Sequence, residues 1–246
     1  MSSKKGLGMK LLLSALLVTS AMWAESLHYK IKAPLFGTIG EVNVDYSVGS
    51  TYNINASMRT FGFAKKLSGN RVEKYHSDGM VVGNTYKAKY FRQDYSYKNK
   101  RGLLEYKFNY ANKTITKHRK KWKDNKVVED KSRIFEFFTY NDLFSVHHNI
   151  VAKLKDSPSG VYRVQAAGME KTGGYLTIKI PPKSVQMQEA KSIGVKDVWV
   201  FHIITHRKIM KSKNGEIIFA VGNDGIAKGV RVLNTAYVSH IDALLD

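Results

Sequence analysis

The sequence predicts a mainly β protein of the α+β class, with an antiparallel sheet and one principal helix packed on its apolar face. Apolar and polar residues alternate along many short runs, the pattern of strands with one face on a core and the other in water. Turn-forming clusters such as Asn214-Gly215 separate these runs at short intervals, as in successive hairpins. Tyr140–Leu154 instead repeats its apolar residues at helical spacing.

The centre of the pattern is Thr85–Lys123, which is predicted to form three strands joined by turns at 98–102 and 111–113. Six residues of the first two strands are expected to share an apolar face: Tyr86, Tyr90, Leu104, Tyr106, Phe108 and Tyr110. The third strand is strongly basic, and alternation places four of its cations on one side: Lys117, Arg119, Lys121 and Lys123. We therefore expect an aromatic face and an opposite basic face.

Further strands are predicted on both sides of this segment. Ahead of it, Ser77-Asp78-Gly79 is expected to be a turn, and Phe61–Leu67 is either one short helical turn or a bulge. After it, a strand over Val127–Phe138 leads into the principal helix, whose start can be capped by Asn141 or Asp142.

Residues 155–160 end this helix and mark the candidate seam between an N-terminal and a C-terminal half. Because the stretch is short and strands resume at once, we interpret it as a connection within a single domain, 25–246. Ser184–Ile193 is a second candidate helix, and Val198–His206 is a strand that forms a hairpin across Asn214-Gly215.

Charge and cysteine content limit the functional classes. The 246 residues include 40 Lys and Arg against 20 Asp and Glu, a formal charge of +20. So basic a chain favours anionic partners, such as a membrane surface or an acidic envelope polymer. Cysteine is absent, which excludes disulfides, thiolate metal sites, cysteine nucleophiles and a lipid-modified cysteine.

Residues 1–24 have the three parts of a secretory signal peptide. Three lysines precede an uncharged run from Leu11 to Trp23, and the small residue Ala24 follows. The run is too short for a comfortable membrane span, which takes about 20 residues. We expect export to the periplasm with cleavage after Ala24, or after Ala21 as the alternative; an uncleaved N-terminal anchor is the other interpretation.

The order of several motifs resembles the bacterial envelope family known as domain of unknown function 3108. The motifs are Gly37-Thr38-Ile39-Gly40-Glu41, Met58-Arg59-Thr60-Phe61-Gly62, Arg71-Val72-Glu73, Asn141-Asp142-Leu143-Phe144-Ser145, Val221-Gly222-Asn223-Asp224-Gly225 and Val238-Ser239-His240-Ile241. The chain departs from the family at Leu143, where proline is frequent, and at Ser239, where glycine is frequent. The resemblance implies a periplasmic β-rich protein, a curled antiparallel sheet or half-barrel like those of lipoprotein carriers, and it implies no catalytic residues.

No set of residues predicts a reaction. His202 and His206 have the spacing of a helical zinc motif, but on a strand four residues separate them by about 13 Å, too far for one ion. Nucleophile elbows and phosphate-binding loops are absent from the sequence. We therefore expect no metal and no cofactor, and a hydrolase built on His147, His148 and Asp142 is the least favoured function.

Each face of the central strands has two interpretations. The aromatic residues either form core against the helix or line a concave pocket for an acyl chain or another apolar ligand. The cations either bind an anion or form a solvated face that discourages edge pairing. Aromatics interleaved with lysines also occur in single-stranded nucleic-acid platforms, but an exported protein meets little nucleic acid.

The sequence therefore favours an exported, non-enzymatic binding or carrier module for a lipidic or amphiphilic component of the envelope. In this hypothesis the aromatic set contacts the apolar ligand and the basic set binds an anion. The alternative is a structural envelope protein whose basic face binds anionic lipid or polymer and which has no internal pocket.

Overall fold

The computed structural model describes residues 23–205, 215–235 and 238–246. In these residues fourteen strands form one antiparallel sheet, with three α-helices and a 3-10 turn at Glu170–Thr172. The helices are α1 (Gly62–Ser68), α2 (Ser145–Leu154) and α3 (Lys183–Ile193). The strands are β1 (Trp23–Ala33), β2 (Gly37–Val48), β3 (Thr51–Thr60), β4 (Val72–Val82), β5 (Thr85–Tyr97), β6 (Lys100–Asn109), β7 (Thr114–Lys123), β8 (Lys126–Ile134), β9 (Gly160–Gln165), β10 (Tyr175–Ile180), β11 (Val198–Ile204), β12 (Glu216–Gly222), β13 (Ala227–Leu233) and β14 (His240–Leu245).

Most strands pair with their neighbours in the chain. From edge to edge the order runs from β8 down to β1 and then from β14 down to β9. The first and last strands therefore lie side by side, with Tyr29 opposite Leu245. The edge strands β8 and β9 are joined in sequence by residues 135–159, which include α2. The predicted class, a mainly antiparallel β protein with a principal helix, is confirmed.

The sheet curls around α2. On one side of the helix Asn149 hydrogen-bonds the backbone of Tyr86 in β5, and on the other His147 packs against Phe201 in β11 and Phe219 in β12. In the sheet β5 and β11 are eight positions apart, about 38 Å if flat, since neighbouring strands lie about 4.8 Å apart. A helix about 10 Å wide reaches both only if the sheet curves into a trough. We call the face that carries α2 the inner face.

Three clusters form the described core. On the inner face, Val146 and Ile150 of α2 pack against β10, β11 and β12, and the aromatic residues of β5 and β6 pack with Phe135. On the outer face, Ala190 and Ile193 of α3 pack against β11 and β12. Strands β11 and β12 are thus covered by a helix on each side.

Residues 135–144 cross the inner face without regular secondary structure. The amide of Phe135 donates to the carbonyl of Ile115 in β7, at 2.9 Å. Thr139 Oγ1 and Asn141 Nδ2 donate to the carbonyl of Gln165 at the end of β9, at 3.0 and 2.8 Å. The segment therefore links strands near both edges of the sheet and covers one end of the trough. The strand predicted to reach Phe138 ends at Ile134 because this crossing begins there.

Asn149 fixes α2 against β5. Its Nδ2 donates to the carbonyl of Tyr86 at 2.8 Å and to Oδ1 of Asn141 at 2.6 Å, while its Oδ1 accepts from the amide of Tyr86 at 2.8 Å. The side chain is 2% exposed, so these three bonds lie where water cannot replace them.

Asp142 fixes the start of α2. Its Oδ1 accepts from the amides of Phe144 and Ser145, both at 2.8 Å, and its Oδ2 accepts from Ser77 Oγ at 2.5 Å. Burial raises the pKa of Asp142, and the hydrogen bonds to its carboxylate oppose that rise. The helix begins at Ser145, five residues after the predicted start at Tyr140, and Asp142, one of the two predicted caps, accepts a hydrogen bond from the amide of this first helical residue.

The turn predicted at Ser77-Asp78-Gly79 is wrong, since these residues lie inside β4. A bulge there pairs Asp78 with Tyr90 but Gly79 with Ala88, which leaves Lys89 as an extra residue. A Cβ at Gly79 would lie 2.2 Å from the carbonyl oxygen of Lys87, so the close pairing at this point requires glycine.

The remaining local predictions agree with the structure where it describes them. Of the segment Phe61–Leu67, residues 62–67 are helical, as part of α1, and Phe61 is the extended residue just before the helix, while Ser184–Ile193 lies in α3. His202 lies on β11, whereas His206 and Asn214 are outside the described residues. So is most of the predicted signal peptide, of which Trp23 and Ala24 form the start of β1.

We expect Asn149→Ala to lower the free energy of unfolding by about 2–4 kcal/mol, because it leaves the amide and carbonyl of Tyr86 buried without partners. Asn112→Ala, the same change at an exposed turn position, should cost less than about 0.5 kcal/mol. Urea unfolding of the two variants measures both. Equal losses would show that Asn149 does not anchor the helix.

Candidate ligand-binding trough

The predicted aromatic set is divided between the two faces. Tyr106 and Phe108 are buried, and Leu104 and Tyr110 pack beside them in the inner core beneath residues 135–144. Tyr86 also faces inward, where it stacks on His148 of α2 with ring centroids 4.4 Å apart. These five residues pack as core.

The prediction that Tyr90 shares this apolar face is wrong, because its side chain points outward. The bulge at Lys89 shifts the alternation, so that Ala88 and Phe91 face inward and Tyr90 lies between them on the outer face. There its hydroxyl donates to Glu105.

The predicted opposition of the aromatic and basic faces is also wrong. Residues directly opposite one another on paired strands share a face, and Lys117 lies opposite Tyr106, Arg119 opposite Leu104, and Lys121 opposite Gly102. These three cations therefore lie on the inner face beside the aromatic core, and Lys123 is exposed at the end of β7. Alternation within one strand fixes its two faces, but the register across the turn at 111–113 decides which face joins which.

Lys117 is held within the inner face. Its Nζ donates to Oε1 of Glu170 at 3.1 Å and lies 5.5 Å from the centre of the Tyr106 ring, whose hydroxyl donates to the same oxygen at 3.2 Å. Burial lowers the pKa of Lys117, Glu170 opposes this, and nearby Arg133 and Arg119 lower it further. Lys117 is thus paired with one acid and lies near two further cations.

An apolar strip runs along the inner face at the centre of the sheet. Its members are half-exposed and belong to none of the three core clusters of the described residues, and they come from β13, β14, β1, β2 and β3: Val230, Val232, Ile241, Ala243, Leu245, Leu27, Val42, Val44 and Met58. Val230 lies opposite Phe219, which packs on α2, so the strip and the helix share a face. We call these nine residues the apolar strip.

The inner face changes from apolar to basic across the sheet. One row of directly opposed residues crosses eight strands from β1 to β8, in the order Leu27, Val44, Ala56, Tyr75, Gln93, Leu104, Arg119 and Lys131. The trough therefore offers apolar surface at its centre and cations towards the β8 edge. That combination suits an amphiphile with an anionic end.

The apolar strip was not predicted as a site. Each of its strands showed alternation, but that pattern is the same for a buried face and for a half-exposed one. The curl of the sheet decides whether these side chains are buried or half-exposed, and the curl depends on where α2 docks.

The histidines of α2 do not form a catalytic group with Asp142. His147 Nε2 lies 3.3 Å from the carbonyl oxygen of Gly225, and the carboxylate of Asp142 is bonded to Ser77 and the helix start. Burial lowers the pKa of both His147 and His148, the latter to about 3, so both are neutral at pH 7.

His202 has a structural position. Its Nε2 lies 2.9 Å from Glu189 of α3 and its Nδ1 lies 2.8 Å from Glu216 of β12, which ties the outer helix to the sheet. Within the ranges that the structure describes, no three His, Asp or Glu side chains are grouped as metal ligands would be. No helix in those ranges is long and apolar enough to cross a bilayer.

The outer face of β2 to β5 carries an open polar groove of about 270 Å³, lined chiefly by Asn43, Asp45, Asn55, Ser57, Lys74, His76, Arg92 and Asp94. Its charges are balanced, two acids against two bases, and Arg92 is paired with Asp94 at 2.6 Å. Over β2 to β5 the outer face is thus polar with balanced charges, whereas the inner face changes from apolar to cationic across the sheet.

Comparisons with known proteins support the fold. No family model matches the chain, and no curated protein does. A solved structure, the crystal structure of a β-barrel-like protein of domain of unknown function 1849 from Brucella abortus, is similar, with a TM-score of 0.52 and 13% identity over 93% of this chain and 97% of that chain. The likeness at this identity is one of fold, a β-rich domain of unknown function, and the resemblance to domain of unknown function 3108 stays a prediction.

Because His147 and His148 are neutral in the folded protein, its stability is expected to depend on pH. Because the folded-state pKa of His148 lies near 3, below the usual value of about 6.5, the unfolded chain binds one more proton between these values. Stability is therefore fully present above about pH 6.5 and falls as the pH drops towards 3. His148→Phe should reduce the slope of unfolding free energy between pH 4 and 5.5 by about 1.4 kcal/mol per pH unit. Urea unfolding at several pH values measures this, and an unchanged slope would contradict the buried position of the ring.

Proposed function

We propose that the protein is a non-enzymatic binding module that holds the apolar part of an amphiphile against its apolar strip. The observation that carries the proposal is the strip itself, nine half-exposed apolar side chains on a concave face beside a helix that covers only part of that face. Contiguous apolar surface that stays accessible to solvent marks interaction or ligand-binding sites.

The energy available is adequate for binding. A ligand that removes about 300 Å² of apolar surface from water gains about 7.5 kcal/mol before the cost of association, at about 25 cal/mol per Å². The trough is formed before binding, since α2 is anchored by hydrogen bonds that no ligand supplies. Little of the gain is then spent on ordering the protein.

The place of action belongs to the same proposal. A segment with the pattern of a signal peptide precedes the sheet, and the sequence resembles the envelope family of domain of unknown function 3108. We therefore propose that the module works in the periplasm on a lipidic or amphiphilic component of the envelope.

A matched pair of variants tests the trough. Val44→Lys places a charge in the apolar strip, and Ser57→Lys places the same charge on the outer face of the adjacent strand; both positions are half-exposed. We expect Val44→Lys to weaken binding of the neutral apolar dye N-phenyl-1-naphthylamine at least fivefold, because the dye would have to desolvate a cation. Ser57→Lys should leave the dye affinity within about a factor of two of the wild type.

Circular dichroism of each variant confirms that the sheet is intact before binding is measured by fluorescence. Absence of dye binding in the wild type, or equal binding by both variants, would contradict the trough as a site. Binding to anionic vesicles that is unaffected by Val44→Lys would favour the alternative, a structural protein that binds through its basic surface.

A further inference from the structure

The inner face of β7 and β8 contains two like-charged pairs in adjacent positions, apart from the exposed pair of Lys123 and Lys126 beside the turn. Lys117 lies opposite Arg133, and Arg119 lies opposite Lys131. The Cβ atoms of directly opposed residues are about 5 Å apart, and like charges at that distance are destabilising. Residues two apart on a strand are separated by about 7 Å, so the four cations occupy a rectangle of about 5 by 7 Å.

The opposite face of the same two strands is balanced. Lys120 lies opposite Asp130 and its Nζ is 2.6 Å from the carboxylate. His118 lies between Glu105, at 3.0 Å, and Asp130, at 2.8 Å. Strands β7 and β8 can therefore pair residues of opposite charge, and they place like charges opposite each other only on the inner face.

The acids on the inner face neutralise only part of this charge. Glu170 is bonded to Lys117, and Glu129 is bonded to Lys121 at 2.6 Å and lies 3.3 Å from Arg119. The five cations at 117, 119, 121, 131 and 133 therefore face two carboxylates, which leaves a net charge of 5 − 2 = +3. Lys131 and Arg133 are exposed and the Arg119 side chain is 47% exposed, so a ligand can reach them.

We propose that Lys117, Arg119, Lys131 and Arg133 bind the phosphate head group of the amphiphile whose apolar part lies on the apolar strip. A phosphate monoester carries nearly two negative charges and three acceptor oxygens, and the guanidinium groups of Arg119 and Arg133 can each donate two parallel hydrogen bonds to it. A bound phosphate offsets the repulsion within the two like-charged pairs, because all four cations are attracted to the anion. This inference rests on the proposed function and identifies the chemical class of its ligand.

The geometry connects the two parts of the site. Arg119 and Val44 belong to the same cross-strand row of the inner face and are five strand positions apart, about 24 Å along the sheet. The curl shortens the direct path, so one lipid-sized molecule can reach from the cations to the strip. Leu104, directly opposite Arg119, packs against the aromatic core, so the cations border that core on the side of β7 and β8.

Two ligands that share an acyl chain and differ only in the phosphate test the proposal by titration calorimetry below their critical micelle concentrations. We expect the wild type to bind lysophosphatidic acid at least tenfold more tightly than the matching monoacylglycerol. In Arg119→Gln/Arg133→Gln that preference should fall to about twofold or less, while the affinity for monoacylglycerol stays unchanged. Lys74→Gln/Lys107→Gln removes two exposed cations from the outer face and should keep the tenfold preference.

The outcomes separate the head-group site from the trough. A tenfold preference that survives in Arg119→Gln/Arg133→Gln would overturn the head-group site and leave the trough intact. If the wild type does not bind monoacylglycerol, the proposed function is wrong, and the head-group assignment with it. Inorganic phosphate that binds the wild type as tightly as lysophosphatidic acid would overturn the head-group assignment in favour of a free-phosphate site.

A stability measurement guards against misfolded variants. Each substitution removes one member of a like-charged pair, and Arg119→Gln also removes the contact with Glu129. The thermal midpoint of Arg119→Gln/Arg133→Gln should therefore be no lower than that of Glu129→Gln, which loses the same contact without relieving the repulsion. A lower midpoint would show that the four cations stabilise the sheet by themselves, and would contradict their assignment to ligand binding.

Discussion

The attachment of α2 to β5 and β4 is the constraint on which the shape of the molecule depends. An antiparallel sheet of this length has a natural twist but no fixed radius of curvature. The buried contacts of Asn149 and Asp142 hold the helix against one side of the sheet, and its apolar side chains hold it against the strands near the other edge. The distance across one helix thereby sets the width of the trough.

That constraint also determines what remains uncovered. The helix and residues 135–144 occupy the end of the trough near Tyr52 and Tyr86, where the inner side chains are buried or stacked. The strip along β13, β14, β1, β2 and β3 lies farther from the helix and stays half-exposed. Because hydrogen bonds fix the position of the helix, it does not move over the strip and bury those apolar side chains. A contact held by apolar packing alone would favour that further burial.

Much of the fold could be predicted from the sequence, because alternation and turn residues act locally. The strand character of His202 and the helix at Ser184–Ile193 followed from such patterns. The bulge that turned Tyr90 outward could not be predicted, since it adds one residue within an unbroken apolar and polar pattern. The face on which Lys117 lies depended on cross-strand register, and the exposure of Val44 depended on curvature; both are properties of the assembled sheet.

The pairing of β1 with β14 has a consequence for how the chain is assembled during synthesis. Strands β1 to β8 form a continuous series of hairpins, so their pairing needs only contacts between neighbours in sequence and can proceed as the chain emerges. One edge of β1, however, receives its partner only when β14 is available. Until then the chain exposes an unpaired strand next to apolar side chains, a template for intermolecular association. A chaperone that shields this edge until β14 has paired would protect the chain from such association.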